Sequence, residues 1–379
     1  MLRGLKEIPP NVDPGDYIVW GEAAALSTPA TKAVPSLREL TETYLEAHKE
    51  FKATSTIEGE RIHLQNIGKC LAAATDRPLD RLGHRDLEVA LRKRLGDVSG
   101  ATVNKERRTL LSFFKWVVRQ GYLTTSPATG LPLAKIEEDR PPFRTLEEIE
   151  GIIKRGEIDE AEVEGIWECL YLNPQEIGEI LGLVNMRAKE DFIHPMFAIV
   201  AYTGMRRGEM LRFRWLDVDL QRKVVTARSR KQSRQRKVTA REIDMHPELE
   251  AVLQEYRQSR PTGQQVISWA KNLIPLTIHQ ANNAFHQPLK GTRWEREMPP
   301  GKKKIVIGFH SFRHSFASNL AVAGVDQRII DRWMGHVTEA MRRRYQHLFP
   351  KTLSASIRKL SFSGNGHQQP STQAGISTE

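Results

Sequence analysis

The chain has 379 residues, and its 57 lysines and arginines outnumber its 46 acidic residues, giving a formal net charge of +11. This length accommodates two or more ordinary domains, and the basic excess favours a polyanionic partner, either nucleic acid or an acidic membrane surface. No apolar run is long enough to cross a bilayer, the N-terminus lacks the apolar core of a secretory signal, and two cysteines exclude a disulfide framework. We therefore expect a cytoplasmic protein with no membrane anchor.

The N-terminal third predicts a leader followed by a helical domain. Residues 1–35 contain five prolines and no sustained periodicity, which indicates an extended arm. Ser36 then begins a capping box with Glu39, and apolar residues follow at helical spacing. The same spacing is strongest over 101–120. We predict an all-helical domain over residues 36–135.

A proline-rich linker, near residues 135–143, separates this domain from a second one over 143–362. Within the second domain the apolar period shortens towards two between 215 and 245, which predicts a small antiparallel sheet. Helical spacing dominates elsewhere, and residues 363–379 are too polar to pack and predict a disordered tail. The expected fold class is mainly α with a small antiparallel β-sheet (α+β).

Basic residues are concentrated in the predicted hairpin, where residues 222–241 hold nine lysines and arginines and no acid. Such a hairpin would repel itself without a polyanion nearby. An ordinary solvated basic surface is the alternative, while a membrane anchor is disfavoured because no basic amphipathic helix is present. We interpret the hairpin as a nucleic-acid contact and take these residues as DNA-binding candidates: Arg228, Arg230, Arg234, Arg236 and Lys237.

Residues 201–215, AYTGMRRGEMLRFRW, place a glycine and an arginine just before a helix. Glu209 follows Arg206 by three residues and could hold its guanidinium by a fork-like pair, leaving other N–H donors free for phosphate oxygens. When this segment is taken alone, a helix start with an ordinary surface Arg–Glu pair is the better explanation.

Residues 308–325, GFHSFRHSFASNLAVAGV, predict a helix that carries His310, Arg313 and His314 on a side away from its apolar face. Two histidines four residues apart suggest a zinc site, but Ser311 stands where a zinc-protease helix needs its general-base glutamate. We therefore expect no metal. A histidine and an arginine three residues apart can instead address one phosphate, since imidazole carries a proton near neutral pH.

Residues 331–349 end one helix at Gly335, continue through His336, and begin another helix that carries Tyr345 among three arginines. A tyrosine close to Leu348 and Phe349 is ordinarily a half-buried core residue. Its interpretation changes only when the three segments are considered together.

Together the three segments resemble the tyrosine recombinase (phage integrase) family, and the resemblance extends over residues 36–360. In that family a T-G-x-R-x-x-E box, an H-x-x-R box and a leucine-glycine-histidine box precede a nucleophilic tyrosine. This chain meets their order and spacing, with the tyrosine nine residues after the last histidine. The first domain is similar to the family's helical core-binding domain. The matched site residues are Arg206, Glu209, His310, Arg313, His336 and Tyr345.

The resemblance implies cleavage and rejoining of DNA without a metal or nucleotide cofactor. Tyr345 would attack the scissile phosphate, giving a 3′-phosphotyrosyl link and a free 5′-hydroxyl. A phenol has a pKa of about 10, so it needs a proton acceptor near neutral pH, and His310 is the candidate. Arg206 and Arg313 would stabilise the charge of the pentacoordinate transition state.

Two further roles follow from the resemblance. The family's general-acid lysine lies on the turn between the second and third strands, which fits Lys231 best, although Lys237 and Lys223 are close enough to compete. His336 would donate a hydrogen bond to a phosphate oxygen. The segment 157–191 looks like an insertion before the first arginine box.

The resemblance also implies partners: double-stranded DNA with inverted-repeat core sites, a homotetramer on that DNA, and accessory DNA-bending factors. We expect the protein to be encoded by a mobile genetic element and to act on DNA of the nucleoid. Two other functions stay open at this point: DNA relaxation like that of a type IB topoisomerase, and an inactive DNA-binding regulator on the same scaffold. An inactive regulator has no need of Tyr345 and both histidines, which argues against it.

Overall fold

The structure, a computed structural model, describes residues 34–136, 141–229, 239–259, 263–298, 301–335 and 338–349. The predicted leader, apart from residues 34 and 35, and the predicted polar tail lie outside the described residues. The chain divides into two compact units, Met1–Glu138 and Asp139–Glu379. No helix in the described parts of either unit is long and apolar enough to cross a membrane.

The first unit is built from four described α-helices: α1 Leu37–His48, α2 Thr54–Leu71, α3 His84–Asp97 and α4 Gly100–Arg119. The predicted capping box begins α1, since the Ser36 hydroxyl accepts from the Glu39 amide and the Glu39 carboxylate accepts from the Ser36 amide at 2.8 Å. The apolar positions of α4 form the centre of the core, where Leu110, Phe113 and Val117 are fully buried. The helical prediction for this unit is confirmed.

The second unit is mostly helical. Its central helix, α8 (Ile193–Thr203), has almost all of its side chains buried, because the sequence IHPMFAIVAYT is apolar around the whole helix. The described helices are α5 Leu146–Arg155, α6 Glu160–Trp167, α7 Pro174–Arg187, α8 Ile193–Thr203, α9 Arg207–Met210, α10 Pro247–Gln258, α11 Ile278–His286, α12 Phe309–Val322, α13 Gln327–Met334 and α14 Glu339–Gln346.

The predicted sheet is present and antiparallel, with strands β1 Val218–Asp219, β2 Val224–Ser229 and β3 Thr239–Asp244 in that order. Its register pairs Val225 with Ile243, and both side chains are buried. A second antiparallel pair, β4 Glu295–Met298 and β5 Lys302–Ile305, was not predicted. Its sequences EREM and KKKI lack the apolar alternation that reveals a strand.

Candidate active site

The first arginine box follows the end of α8. Gly204 ends this helix with φ of +58°, and a Cβ at this position would lie 2.7 Å from the Phe316 ring, so a larger residue would be strained and would clash. The turn places Arg206 at the start of α9. There its backbone amide and its guanidinium both donate to the Glu209 carboxylate, at 3.0 and 3.1 Å.

Glu209 is almost fully buried beside Arg206 and Arg241. Burial alone would raise the pKa of its carboxyl, but the hydrogen bonds and charges of Arg241, and then of Arg206, outweigh burial and lower the pKa to about 2. The carboxylate is therefore ionised at neutral pH and can hold a guanidinium in place.

Arg313 of α12 connects two of the sequence boxes. It is 7% exposed, and its two terminal nitrogens donate to the Gly204 carbonyl and to the Met334 carbonyl, each at 2.6 Å. Burial lowers its pKa to about 9, and the charges of Arg206 and Arg241 add to this effect, so the guanidinium is still charged at neutral pH. The two catalytic arginines predicted from the sequence therefore lie at one site.

His310 lies on the first turn of α12, beside a cavity of about 400 Å³ that Glu168 and His314 also line. Partial loss of hydration lowers the pKa of its imidazole, and the charges of Arg207 and Arg313 lower it further. An imidazole with a pKa below 6.5 is mostly neutral at pH 7, which is the form that can accept a proton.

Tyr345 lies in the protein interior, with no exposed surface. Its hydroxyl accepts a hydrogen bond from Gln327 Nε2 at 3.1 Å. Burial raises its pKa, and Asp331 acts in the same direction, so the phenol is protonated. It belongs to a cluster of buried side chains that we call the tyrosine cluster, formed by Phe143, Tyr171, Ala317, Ala321, Ile330, Met334 and Tyr345. A tyrosine in such an apolar stretch is ordinarily half-buried, whereas the structure buries Tyr345 completely.

The helix that carries Tyr345 is held by the segment that begins the second unit. The Phe143 amide donates to the Arg344 carbonyl at 2.9 Å. The Arg344 side chain donates to the Pro141 carbonyl at 2.9 Å and to Cys169 Sγ at 3.3 Å, and its guanidinium lies 4.0 Å from the centre of the Phe143 ring. Exposure of Tyr345 therefore requires these contacts to change.

Several predicted site residues lie outside the described residues: Lys231, His336, Arg230, Arg234, Arg236 and Lys237. Arg228 is described, on β2, and donates to the buried Asp217 carboxylate at 2.5 Å. Lys223, one of the competing general-acid lysines, forms an ion pair with Glu250 at 3.2 Å.

Sequence reasoning missed Arg241, which it counted only as one of the hairpin's basic residues. The structure places this side chain, 10% exposed, against Glu209. Strand alternation was the available signal, because Arg241 stands two residues before Ile243 and four before Met245, both of which are buried. The two-residue alternation of a strand therefore assigns Arg241 to the buried face of β3.

Comparison with known proteins identifies the family of the second unit. The sequence model of the phage integrase family matches residues 171–352. The match includes 171–191, so the second half of the segment that we expected to be an insertion belongs to the family's own domain. Helices α5 and α6 precede the matched span.

Curated relatives align with more of the chain. Tyrosine recombinase XerC of Thermodesulfovibrio yellowstonii is 23% identical over 267 residues, which cover 67% of this chain and 74% of the relative. A XerC-like tyrosine recombinase of Caldanaerobacter subterraneus is 23% identical over 69% of this chain and 66% of its own length. The integrase of Salmonella phage P22 is 25% identical over 44% of this chain and 42% of its own length.

Solved structures with a similar fold are integrases and recombinases on DNA. The XerH site-specific recombinase bound to palindromic difH substrate superposes with a TM-score of 0.56 and 19% identity, covering 86% of this chain and 85% of that one. A lambda integrase dimer bound to a COC′ core site gives a TM-score of 0.55 and 15% identity over 91% and 96% of the two chains.

These comparisons do not favour a topoisomerase or an inactive regulator, because the relatives named above are recombinases and integrases. The chain therefore belongs to the tyrosine recombinase (phage integrase) family of site-specific DNA recombinases.

Proposed function

We propose that this recombinase exchanges DNA strands through a 3′-phosphotyrosyl link on Tyr345, without a metal or nucleotide cofactor. The observation that carries the proposal is the double contact of Arg313 with Gly204 and Met334, which joins the boxes around a pair of guanidinium groups. Two fixed positive charges at one site suit a phosphodiester whose charge grows in the transition state.

In the proposed cleavage step the Tyr345 oxygen bonds to phosphorus while the bond from phosphorus to the 5′-oxygen breaks. His310 accepts the phenolic proton, for which its lowered pKa and neutral form are suited. Lys231 donates a proton to the departing 5′-oxygen, and His336 donates a hydrogen bond to a phosphate oxygen. Rejoining reverses each step with a new 5′-hydroxyl as the attacking group.

In the conformation described here Tyr345 is excluded from solvent. We infer that α14 leaves the tyrosine cluster before cleavage, since a duplex phosphate cannot reach a fully buried oxygen. Removal from the cluster also ends the burial that raises the Tyr345 pKa, which makes the phenol easier to ionise.

The proposal is tested with a nicked duplex from which the strand beyond the cleavage point diffuses away, so that religation fails. Duplexes selected from a random-sequence pool by binding to the protein supply the target sequence. We expect a covalent protein–DNA band on a denaturing gel, a new 5′-hydroxyl that a kinase can label, and no effect of a chelator. A covalent link to the 5′ end, or cleavage that never leads to exchange between two duplexes, would contradict it.

The general acid is tested by replacing the bridging 5′-oxygen of the scissile phosphate with sulfur. An alkoxide needs a proton to leave, whereas a thiolate, with a far lower pKa, does not. We expect Lys231→Ala to slow cleavage of the oxygen substrate strongly and that of the sulfur substrate hardly at all. Lys237→Ala and Lys223→Ala serve as comparisons. Equal losses on both substrates for Lys231→Ala would assign the role to another residue.

We propose that the basic residues of 222–241, apart from the inward-pointing Arg241, and the first unit, acting as a core-binding domain, bind the phosphate backbone of inverted-repeat core sites in nucleoid DNA. Neutralised phosphates release counterions, so this binding weakens as salt rises. Arg228 would contribute only the part of its guanidinium that Asp217 leaves free.

The proposed assembly is a homotetramer on DNA, helped by accessory DNA-bending factors. It is supported by the dimers on core-site DNA formed by lambda integrase and by the apolar spacing of Leu353, Ile357, Leu360 and Phe362, which lie outside the described residues. Deletion of 353–379 should spare DNA binding and abolish strand exchange, as followed by gel shift and recombination assays. Deletion of 363–379 alone is the control, and normal exchange by the longer deletion would contradict the role.

A further inference from the structure

We propose that Arg241 is a positioning residue that sets the geometry of both phosphate-binding arginines. The inference rests on the proposed roles of Arg206 and Arg313, and its test separates the two. Arg241 lies on β3, opposite Ala227 of β2, and its side chain points into the unit rather than towards solvent.

Arg241 positions the carboxylate of Glu209, and this carboxylate in turn binds Arg206. Its two terminal nitrogens donate to the two oxygens of Glu209, at 3.0 and 2.7 Å, in the bidentate geometry that guanidinium and carboxylate groups favour. The same two oxygens accept from the Arg206 amide and guanidinium. Arg206 is 39% exposed, whereas Glu209 and Arg241 are largely buried, so the outer arginine is oriented by the inner pair.

Arg241 also binds the C-terminal end of α13, which Arg313 binds as well. Its Nε donates to the Trp333 carbonyl at 2.5 Å, and Arg313 donates to the next carbonyl, that of Met334, at 2.6 Å. The last carbonyls of a helix have no partner within the helix, so these two arginines complete the end of α13. After α13 the chain passes close to Arg241. A Cβ on Gly335 would lie only 3.1 Å from the Cδ of Arg241.

The contacts therefore form one connected network. It runs from Arg206 through Glu209 to Arg241, then through the end of α13 to Arg313. Nε and both terminal nitrogens of Arg241 already donate to protein acceptors, and the side chain is 10% exposed, which suits support rather than contact with the phosphate. Lysine cannot replace it, since one ammonium group cannot form the fork on Glu209 and also reach the Trp333 carbonyl.

We expect Arg241→Lys to slow covalent-complex formation at saturating DNA by about 10- to 100-fold, the range for a misplaced catalytic group, with little change in the DNA dissociation constant. The decisive readout is a substrate in which a neutral methyl group replaces one non-bridging oxygen at the scissile phosphate. This phosphonate is neutral, and its transition state carries one negative charge fewer for Arg206 and Arg313 to stabilise, so the slowing caused by Arg241→Lys should shrink on it, as should that caused by Arg206→Ala.

The matched control is Arg94→Lys in the first unit. Arg94 also forms a fork with a buried carboxylate, that of Glu106, with distances of 2.9 and 3.0 Å. We expect a comparable fall in thermal stability and an unchanged cleavage rate at saturating DNA. A wild-type rate for Arg241→Lys, or an equal slowing on phosphate and phosphonate, would overturn the inference. Absence of any covalent complex with the unmodified protein would instead overturn the proposed function.

Discussion

Replacement of Tyr345 by phenylalanine should abolish the covalent protein–DNA complex and leave DNA binding close to that of the unmodified protein. No other atom takes over the bond to phosphorus, so we expect a loss of more than about 10⁴-fold, as for removal of other catalytic nucleophiles. The ring stays in the tyrosine cluster, and the change removes the hydrogen bond from Gln327, at a cost of about 1 kcal/mol in the free energy of unfolding.

The measurement is a denaturing gel of the suicide-substrate reaction, with a gel shift to follow binding. Tyr171→Phe is the matched control, because Tyr171 belongs to the same tyrosine cluster and is also buried. The control should form the covalent complex at the normal rate. A covalent band that persists in Tyr345→Phe would falsify the assignment of the nucleophile.

Truncation of Arg206 is the second large effect that we expect. Arg206→Ala should slow cleavage by about 10²- to 10³-fold, which is the usual consequence of removing one preorganised donor from a developing charge. The fold should tolerate the change, because the side chain is 39% exposed and Glu209 keeps its bidentate pair with Arg241.

The rate is best measured in a single turnover with protein in excess, so that weaker binding does not contribute to it. Arg212→Ala is the control, since Arg212 is an exposed arginine just after the same short helix. Its rate should stay within about twofold of that of the unmodified protein, as for most surface substitutions. Equal rates for Arg206→Ala and Arg212→Ala would remove Arg206 from the catalytic step.

Local sequence patterns predicted helices of the first unit and the sheet of the second. The capping box at Ser36 and the buried apolar face of α4 depend only on residues a few positions apart, and both are present. The alternation of β2 and β3 depends on local order in the same way and predicted the sheet. Spacing also predicted the pairing of Arg206 with Glu209, because three residues along a helix start bring two side chains together.

Contacts between distant parts of the chain could not be predicted in this way. Tyr345 is buried by residues such as Phe143, about two hundred positions earlier, and no local pattern records that contact. Arg241 donates to Glu209 and to the Trp333 carbonyl, which come from different elements, so its charge alone suggested a surface role. The β4–β5 pair was not predicted, because most of its residues are charged and its few apolar residues do not alternate along either strand.

The hydrogen bond between Phe143 and Arg344 links the helix that carries Tyr345 to the start of the second unit. It joins two backbones, so no side-chain substitution in α14 removes it, and residues 141–143 are also where the chain arrives from the first unit. The exit of α14 from the tyrosine cluster proposed above must therefore either break this hydrogen bond or move residues 141–143 together with the helix. The exposure of the proposed nucleophile thus depends on the backbone at the start of the second unit as well as on α14 itself.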